Sequence, residues 1–324
     1  MIKILYIETH STNPYYNLAA EEYLVKNKTE NICMLWRNDA AIIVGRNQNT
    51  MSEVDYDYVT KEKIPVVRRM SGGGAVFHDL ENLNFTYIIN NGEFGNYGAF
   101  SATLRRYIES LGLKTELSGR NDLLIGGRKF SGLAQYKWHD RLMHHGCILI
   151  NADMTRLARA LKPDEEKIKS KGIQSVRSRV VNIGELIPIT CSDFMRGFEQ
   201  EIKKDSDVIN YELTETDLTA IDKLFREKYS TFEWNFGYSP KYTYHDKKRF
   251  SGGGIEVYLD VTGGIIKKAQ IYGDFFSLEG TEPIIAALEG QKHDFDTLSE
   301  SLKPLFENKI LGEITKEQFL SCVI

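Results

Sequence analysis

The sequence predicts an α+β fold with a mixed, largely antiparallel sheet and a smaller α+β unit at its C-terminal end. Short apolar runs typical of strands and longer runs of helical periodicity follow one another without a regular strand–helix–strand alternation. Near residues 239–242 the pattern of the sequence changes, and a second group of predicted strands and helices follows. We therefore expect two domains, residues 1–245 and residues 246–324.

Composition narrows the class of protein. The 324 residues are 42% hydrophobic and 27% charged, as in ordinary globular proteins, and the net charge of −4 argues against nucleic-acid or membrane-surface binding. The four cysteines have no CxxC spacing, which disfavours a zinc site. The N-terminus lacks a signal-peptide core, and no apolar run approaches the roughly 18 residues of a membrane span. We expect a cytoplasmic monomer with buried thiols.

The elements of the larger unit follow from local signals. Residues 2–7 predict a strand, and Asn13 with Pro14 opens a helix as cap and first-turn residue. Residues 32–36 and 41–45 flank a polar turn and predict a hairpin, as do 122–125 and 128–135 around Gly126 and Gly127. Further strands are expected at 66–69, 84–89 and 144–151, and helices at 56–63, 99–111, 154–161, 192–203 and 215–228.

The smaller unit reads as strand, turn, strand and then helices. Its turn is expected at residues 262–264, and its helices at 283–288, 295–308 and 316–322. This is an appropriate size for an accessory domain.

Residues 71–74 (Ser-Gly-Gly-Gly) form the first glycine loop, preceded by Arg68 and Arg69. Inside a regular element each glycine costs roughly 0.5–1 kcal/mol relative to alanine. What the glycines offer is a bare backbone whose N–H groups an anion can approach. A flexible surface turn is the alternative, and the flanking arginines favour the anion site. The spacing fits neither a P-loop nor a dinucleotide turn.

Residues 251–254 repeat Ser-Gly-Gly-Gly and form the second glycine loop, also preceded by two cations, Lys248 and Arg249. It could be a duplicated ligand site. However, Glu256 follows closely and would repel a bound anion. A structural role at a bulge or a tight strand entry is favoured.

Several other residues have two readings. Lys129, just after the Gly126-Gly127 turn, is either a solvated charge or a contact for a carboxylate or phosphate. Asp122, on the partner strand, is either a surface carboxylate or a contact for a metal ion or a nucleotide. Residues 45–49 are either a solvated connection or a wall of the ligand site. His144 and His145 are adjacent on a strand and point to opposite faces, which disfavours a metal site. Cys147 could be an acyltransferase nucleophile, but a buried thiol is favoured.

Together these segments resemble lipoate–protein ligases. Residues 68–79 (Arg-Arg-Met-Ser-Gly-Gly-Gly-Ala-Val-Phe-His-Asp) resemble the family's lipoate-binding loop, and 121–122 with 127–132 resemble its catalytic-lysine segment. Residues 144–146, 171–180 and 232–237 resemble further family blocks, so the likeness covers nearly the whole chain. One departure is Met70, at a position where relatives carry a third arginine; it leaves Arg69 as the expected nucleotide contact.

The resemblance implies a fold shared with biotin ligases and the class II aminoacyl-tRNA synthetase core. It implies activation of lipoate by ATP and Mg²⁺ to lipoyl-adenylate, in a lipoate-salvage role, followed by transfer to a lysine of a lipoyl domain of 2-oxoacid dehydrogenases or of the glycine-cleavage H protein. Lys129 would be catalytic. Carried over by position, the expected nucleotide contacts are Arg69, Gly74, Ala75, Val76, Phe77, Lys129 and Asp122, with Asp122 expected near Mg²⁺. The expected lipoate contacts are Lys129, Ser71, Gly72, Gly73 and His78. Trp36, Val44 and Val76 are candidates for the tunnel of the acyl tail, and 165–182 for a lid hinged at Gly172.

Three other functions share some of these features. A lipoyl or octanoyl transferase would use a cysteine nucleophile and a carrier-bound donor, but the C-terminal unit argues against it. A biotin ligase would carry a more arginine-rich glycine loop. A lipoate-binding protein without catalysis would release no pyrophosphate.

Overall fold

The computed structural model describes residues 3–48, 50–119, 121–160, 179–205, 207–236, 244–262, 265–293 and 295–324. We call residues 3–236 the N-terminal unit and 244–324 the C-terminal unit. The strands are β1 Lys3–Glu8, β2 Asn31–Trp36, β3 Ala41–Val44, β4 Val66–Arg68, β5 Val76–His78, β6 Asn82–Asn90, β7 Thr115–Ser118, β8 Asp122–Ile125, β9 Arg128–Trp138, β10 Arg141–Leu149, β11 Asp207–Asn210, β12 Tyr244–Phe250, β13 Gly253–Thr262 and β14 Ile265–Gly273.

The α-helices are α1 Pro14–Asn27, α2 Thr50–Glu53, α3 Tyr56–Lys61, α4 Tyr97–Phe100, α5 Ala102–Ser110, α6 Met154–Ala160, α7 Cys191–Asp205, α8 Glu215–Leu224, α9 Phe232–Asn235, α10 Glu282–Leu288, α11 Phe295–Glu307 and α12 Lys316–Ser321. A 3₁₀ turn spans Ile183–Glu185, and α8 continues into a π-helical turn at Phe225–Tyr229. Within the described ranges, no helix has the length and apolar character that crossing a membrane requires.

An eight-stranded sheet in the order β11-β1-β2-β6-β10-β9-β8-β7 is the centre of the N-terminal unit. β1 is parallel to β2 and β11, and the other neighbours are antiparallel. Helices cover both faces, with α1 and α8 in one hydrophobic cluster and α5 and α7 in the other. The predicted α+β class with a mixed, largely antiparallel sheet is confirmed.

The hairpin predicted from residues 32–36 and 41–45 is wrong. β2 lies inside the large sheet, whereas β3 is the central strand of a separate three-stranded sheet, β4-β3-β5. The polar turn does not fold β3 back alongside β2, because Asn38 in the turn is buried and accepts a hydrogen bond from Asn17 of α1 at 2.9 Å. All four residues of β3 are buried, and its backbone is hydrogen-bonded on both edges, to β4 on one and to β5 on the other.

The hairpin predicted around Gly126 and Gly127 is present as β8 and β9. Both glycines have positive φ, +56° and +74°, as the tight turns of two-residue hairpins require. This hairpin carries Asp122 on one strand and Lys129 on the other.

The C-terminal unit is a three-stranded antiparallel sheet, β12-β13-β14, packed against α10, α11 and α12. β13, β14 and the three helices follow the predicted order, but β12 was not predicted, and residues 263 and 264 of the predicted turn lie outside the described residues. The unit has its own core around Val257, Leu302 and Phe319. β12 begins at Tyr244, and the boundary at 245/246 stays a prediction.

Candidate active site

A cavity of about 150 Å³ lies between the eight-stranded sheet and the three-stranded sheet β4-β3-β5. Its lining includes polar side chains, among them Asn121, Lys129 and Arg69, and apolar side chains, chiefly Leu18, Trp36 and Ile43. The backbone of the first glycine loop and of the residues after it forms the roof. The full lining is Leu18, Trp36, Ile43, Arg69, Gly73, Gly74, Ala75, Val76, His78, Asn84, Asn121, Lys129, Gly132, Leu133, Ala134, His145, Gly146 and Cys147.

One transverse row of residues forms much of the floor. The strand registers place Trp36 opposite Asn84, Asn84 opposite Cys147, and Cys147 opposite Gly132. Residues directly opposite one another share a face of the sheet and follow at the strand spacing of about 4.8 Å. The floor therefore crosses four strands, from Trp36 at one end, which we call the apolar end, to Gly132 at the other end, which we call the polar end.

Lys129 stands over the polar end of this floor. Its Nζ lies 2.9 Å from where a Cβ on Gly132 would be, so the ammonium occupies the space that the glycine leaves. Nζ is also 2.7 Å from Oδ1 of Asp122, and both side chains are about one-third exposed. The Lys129 carbonyl accepts a hydrogen bond from the backbone N–H of Val181 at 2.9 Å. The ammonium can therefore reach an anionic ligand while its own strand is held on both edges.

Arg69 shapes the first glycine loop from inside. Its guanidinium donates to the Gly72 and Gly74 carbonyls at 2.7 and 2.9 Å, and to the Ile43 carbonyl at 3.1 Å. Gly73 has φ of +93°, and a Cβ there would lie 2.9 Å from Nη2 of Arg69. Burial lowers the pKa of Arg69 to about 10, so the cation persists at neutral pH beside the cavity. The glycines are needed here because the loop wraps a buried cation.

Arg68 has a different role from Arg69. It is 1% exposed and its guanidinium donates to the carbonyls of Gly45, Arg46 and Gln48 at 2.6–3.0 Å. A Cβ on Gly45 would lie 1.9 Å from the Gly73 carbonyl oxygen. The 45–48 segment is thus neither a solvated connection nor a lining of the cavity: it supports the first glycine loop from behind.

A chain of hydrogen bonds joins the apolar end of the cavity to Arg69. Trp36 Nε1 donates to Thr86 Oγ1 at 3.0 Å, and Thr86 Oγ1 donates to Glu21 Oε1 at 2.5 Å. His145 Nδ1 lies 2.8 Å from the same Glu21 oxygen, and His145 Nε2 lies 2.6 Å from Ser71 Oγ. Since the Glu21 carboxylate only accepts, Nδ1 of His145 donates to it.

This arrangement, which we call the Glu21 relay, resembles a Ser–His–Glu triad but is not built for nucleophilic attack. Ser71 is 1% exposed, lies outside the cavity lining, and its oxygen accepts from Arg69 Nε at 3.1 Å. The relay instead fixes the orientation of His145 on the floor and of Arg69 in the roof.

His78 and His144 are buried and uncharged. Burial lowers the pKa of each to about 3, and the nearby Arg69 adds to the effect at His78. His78 lines the cavity and accepts from Asn38 Nδ2 at 3.1 Å. His144 stacks on Phe100 on the opposite face of the sheet from His145, as the strand alternation predicts.

The structure brings most of the predicted site residues to the cavity, but not all of their side chains. Gly73, Gly74, Ala75, Val76 and His78 line it together with Arg69 and Lys129, and Asp122 is reached through its pair with Lys129. Ser71 and Gly72 lie behind the lining. Phe77 and Val44 belong to a separate hydrophobic cluster, so their side chains face away from the cavity. Ile43 takes the place in the lining that we expected for Val44. Of the predicted lid, residues 165–178 lie outside the described residues.

Sequence reasoning missed Glu21, Thr86 and Asn84. Glu21 follows Leu18 by three positions, on the helix face that turns toward the sheet, and a buried acid in that apolar register was the available signal. Asn84 and Thr86 alternate along β6 toward the cavity side, but strand register was needed to see it. Across the described ranges, no three His, Cys, Asp or Glu side chains converge as a metal site.

Two family models match the chain. The lipoyl protein ligase A/B catalytic domain matches residues 13–203, and the bacterial lipoate protein ligase C-terminus matches residues 239–323. Lipoate–protein ligase 1 of Staphylococcus aureus is 39% identical over 315 residues, covering 95% of this chain and 96% of that protein. Lipoate-protein ligase LplJ of Bacillus subtilis is 38% identical over 330 residues, covering 99% and 100%.

Solved structures give the same grouping. LipL1 of P. falciparum in complex with lipoate has a TM-score of 0.81 and 26% identity, covering 98% of this chain and 99% of its own. Lipoate-protein ligase A bound with ATP has a TM-score of 0.64 and 26% identity, covering 74% and 99%. A bipartite lipoate protein ligase from Thermoplasma acidophilum, described with its E2 lipoyl domain, has a TM-score of 0.65 and 28% identity, covering 75% and 100%.

Proposed function

The chain belongs to the lipoate–protein ligase family and is an ATP-dependent ligase, and on that premise we propose how its cavity residues divide the work and which acceptors it modifies. The observation that supports the division most is the polarity of the cavity. The Lys129 ammonium stands at the Gly132 end of the floor, and the Trp36 side chain lies at the other end. An amphipathic acid fits with its carboxylate beside Lys129 and its tail toward Trp36.

In the first step the lipoate carboxylate attacks the α-phosphorus of ATP, and pyrophosphate leaves. Two anions must approach each other, so their repulsion has to be offset by fixed positive charge. We assign Lys129 to the carboxylate oxygen and the bridging α-phosphate, and Arg69 with the backbone of residues 73–77 to the nucleotide. Lys129 transfers no proton in this role; it aligns the two reacting groups.

Magnesium would accompany the triphosphate. Asp122 fits a Mg²⁺ ion bound mainly through phosphate oxygens, because such ions often use only one or two protein carboxylates. When bound, the ion would neutralise charge on the departing pyrophosphate. Asp122 also keeps the Lys129 ammonium at the polar end, at 2.7 Å, before substrate arrives.

In the second step a neutral lysine amine of an acceptor protein attacks the carbonyl of lipoyl-adenylate, an amide forms, and AMP leaves with the lysine losing a proton. We propose lipoyl domains of 2-oxoacid dehydrogenases and the glycine-cleavage H protein as acceptors, in a lipoate-salvage role. The archaeal relative described with its E2 lipoyl domain supports the first of these.

A transferase of the same fold is the second candidate, because Cys147 lines the cavity beside Gly132. A nucleophilic cysteine needs a lowered pKa. Here burial raises the pKa of Cys147, although Lys129 and Arg69 oppose that shift. The thiol is thus not activated as a transferase requires, and Cys147→Ala should keep the ligase activity.

The test is ATP–pyrophosphate exchange with lipoate, octanoate and biotin, followed by acyl transfer to a lipoyl domain and an H protein, each beside a variant whose acceptor lysine is changed to arginine. We expect exchange with lipoate and transfer that needs the acceptor lysine. Turnover only with carrier-bound acyl groups, lost in Cys147→Ala, would establish the transferase instead.

A further inference from the structure

Asn84 lines the cavity and carries a buried hydrogen-bond donor without a partner. It lies on β6, is 1% exposed, and its Nδ2 has no hydrogen-bond partner among the described residues. A buried donor without a partner costs free energy, and most buried polar groups in native proteins are paired. Because the Asn84 side chain also lines the cavity, turning its amide toward the cavity would let a ligand atom accept from this donor.

The other polar side chains at this end of the cavity are already paired. Trp36 Nε1 donates to Thr86 Oγ1 at 3.0 Å, and His78 Nδ1 accepts from Asn38 at 3.1 Å. The lining also includes the aliphatic side chains of Leu18 and Ile43. Asn84 is thus a polar donor within surroundings suited to an apolar tail.

Its distance from the polar end follows from the strand register. Asn84 is opposite Cys147, and Cys147 is opposite Gly132, over which the Lys129 ammonium stands. Two strand spacings of about 4.8 Å separate Asn84 from Gly132, or roughly 10 Å.

The dimensions of lipoate match that separation. In lipoate, the number of bonds between the nearer ring sulfur and the carboxyl carbon equals the number in two residues of extended backbone. The sulfur and the carboxyl carbon are therefore about 7 Å apart when the chain is extended. A carboxylate hydrogen-bonded to Lys129 adds about 3 Å. The dithiolane sulfur then lies roughly 10 Å from the ammonium, beside Asn84. This step rests on the role proposed above for Lys129.

We propose that Asn84 Nδ2 donates a hydrogen bond to the dithiolane ring, and that Asn84 is thereby a specificity-determining residue for lipoate over octanoate. Sulfur accepts hydrogen bonds weakly, whereas the methylene groups of octanoate do not accept them. With octanoate bound, the buried amide stays unpaired, and sites built to bond a polar group reject analogues that lack it. Because sulfur is a weak acceptor, the contribution to selectivity should be about tenfold rather than several thousandfold.

The test compares kcat/KM for lipoate with kcat/KM for octanoate in ATP–pyrophosphate exchange. In Asn84→Leu, which keeps the branched shape of the side chain but is bulkier and removes the donor, the lipoate-to-octanoate ratio should fall about tenfold, with lipoate losing and octanoate gaining. Asn82→Leu is the matched control. Asn82 lies on the same strand and face, is buried, and its Nδ2 also has no partner among the described residues, but it does not line the cavity. The lipoate-to-octanoate ratio of kcat/KM in Asn82→Leu should stay at the wild-type value.

Three outcomes decide the matter. An unchanged ratio in Asn84→Leu, or an equal loss with both acids, would overturn the assignment and leave the ligase function intact. No exchange with either acid in the wild-type enzyme would instead overturn the function. If thermal melting shows that Asn84→Leu does not fold, Asn84→Ala gives the same comparison of ratios.

Discussion

The two glycine loops share the tetrapeptide Ser-Gly-Gly-Gly and the preceding cations, but their surroundings are opposite. In the first loop Arg69 is buried inside the loop, and the backbone forms the roof of a cavity. In the second loop Arg249 points to Asp274 at 3.0 Å, and the Gly254 N–H donates to the same carboxylate at 2.5 Å. The second loop does hold an anion, but that anion belongs to its own chain.

The second loop is also a strand entry. Phe250 pairs with Gly253 at the end of the β12–β13 hairpin, and Gly253 has φ of +133°. A Cβ at Gly253 would lie 2.9 Å from the Phe275 Cα. The structural role favoured from the sequence is confirmed. The two loops also approach each other, since the Gly73 N–H donates to the Phe275 carbonyl at 3.4 Å. A glycine run and a nearby arginine thus do not define a ligand site; what surrounds them does.

The first loop has a distant cation, Lys129, that the second loop lacks, and removing it should have the largest effect. We expect Lys129→Ala to lower ATP–pyrophosphate exchange on the order of 10³-fold, because a preorganised charge on the reacting groups is lost. Lys137→Ala is the control, since Lys137 lies on the same strand and is exposed. Near-normal exchange in Lys129→Ala with an unchanged melting temperature would contradict the assigned role.

Matched changes of the two arginines test the comparison directly. Arg69→Met leaves the Ile43, Gly72 and Gly74 carbonyls without their buried donor, and we expect exchange to fall about 10²-fold. Arg249→Met removes only the pair with Asp274, so stability should fall by about 2 kcal/mol while exchange stays within about threefold. Urea unfolding and exchange assays on both variants separate the two effects. Equal losses of activity would mean that the second loop also serves the reaction.

The predictable parts of this protein were those fixed by neighbours in sequence. Gly126 and Gly127 specify a two-residue turn, so the β8–β9 hairpin and the placement of Asp122 near Lys129 could be predicted. Asn13 and Pro14 specify a helix start, and α1 begins there with the Asn13 side chain accepting from the backbone N–H groups of residues 15 and 16.

The parts that failed depend on pairing between distant segments. β11 follows β1 by some 200 positions, yet it is its parallel neighbour, with Tyr6 opposite Asn210. Nothing within either segment specifies that partner. The β2–β3 hairpin failed for the same reason, because the burial of Asn38 against α1 redirects the chain. Glu21 entered the site through the packing of α1 on the sheet, and Asn84 entered it through strand register.

The Glu21 relay is a support that the first loop has and the second lacks. Glu21→Gln keeps the shape but removes the charge that accepts from both Thr86 and His145. We expect kcat/KM for lipoate to fall about tenfold, because His145 and Ser71 lose their fixed orientation and Arg69 shifts with them.

The neighbouring Glu22 is the matched control for Glu21. Both are 2% exposed on α1, but Glu22 binds Lys26, Lys228 and Tyr229 on the side away from the cavity. Glu22→Gln should lower the melting temperature and leave kcat/KM near the wild-type value. If Glu21→Gln loses stability but no activity, the relay has only a structural role.

The smallest expected effect is on the pH dependence of stability, and it should separate the two units that carry the loops. His144 has its pKa lowered to about 3 by burial, whereas an unfolded histidine titrates near 6.5. Above pH 6.5 both states are neutral there; as the pH falls below 6.5, the unfolded state binds a proton that the folded state excludes, so stability is lost. Between pH 6.5 and pH 5 this amounts to about 2 kcal/mol, and His144→Phe should remove it while His139→Gln, at an exposed position, should not.

All three tryptophans, Trp36, Trp138 and Trp234, lie in the N-terminal unit, so their fluorescence during urea unfolding at the two pH values reports on that unit. An undiminished acid-induced loss in His144→Phe would show that the acid sensitivity of the N-terminal unit arises elsewhere, with His78 as the next group to change because burial lowers its pKa to the same value.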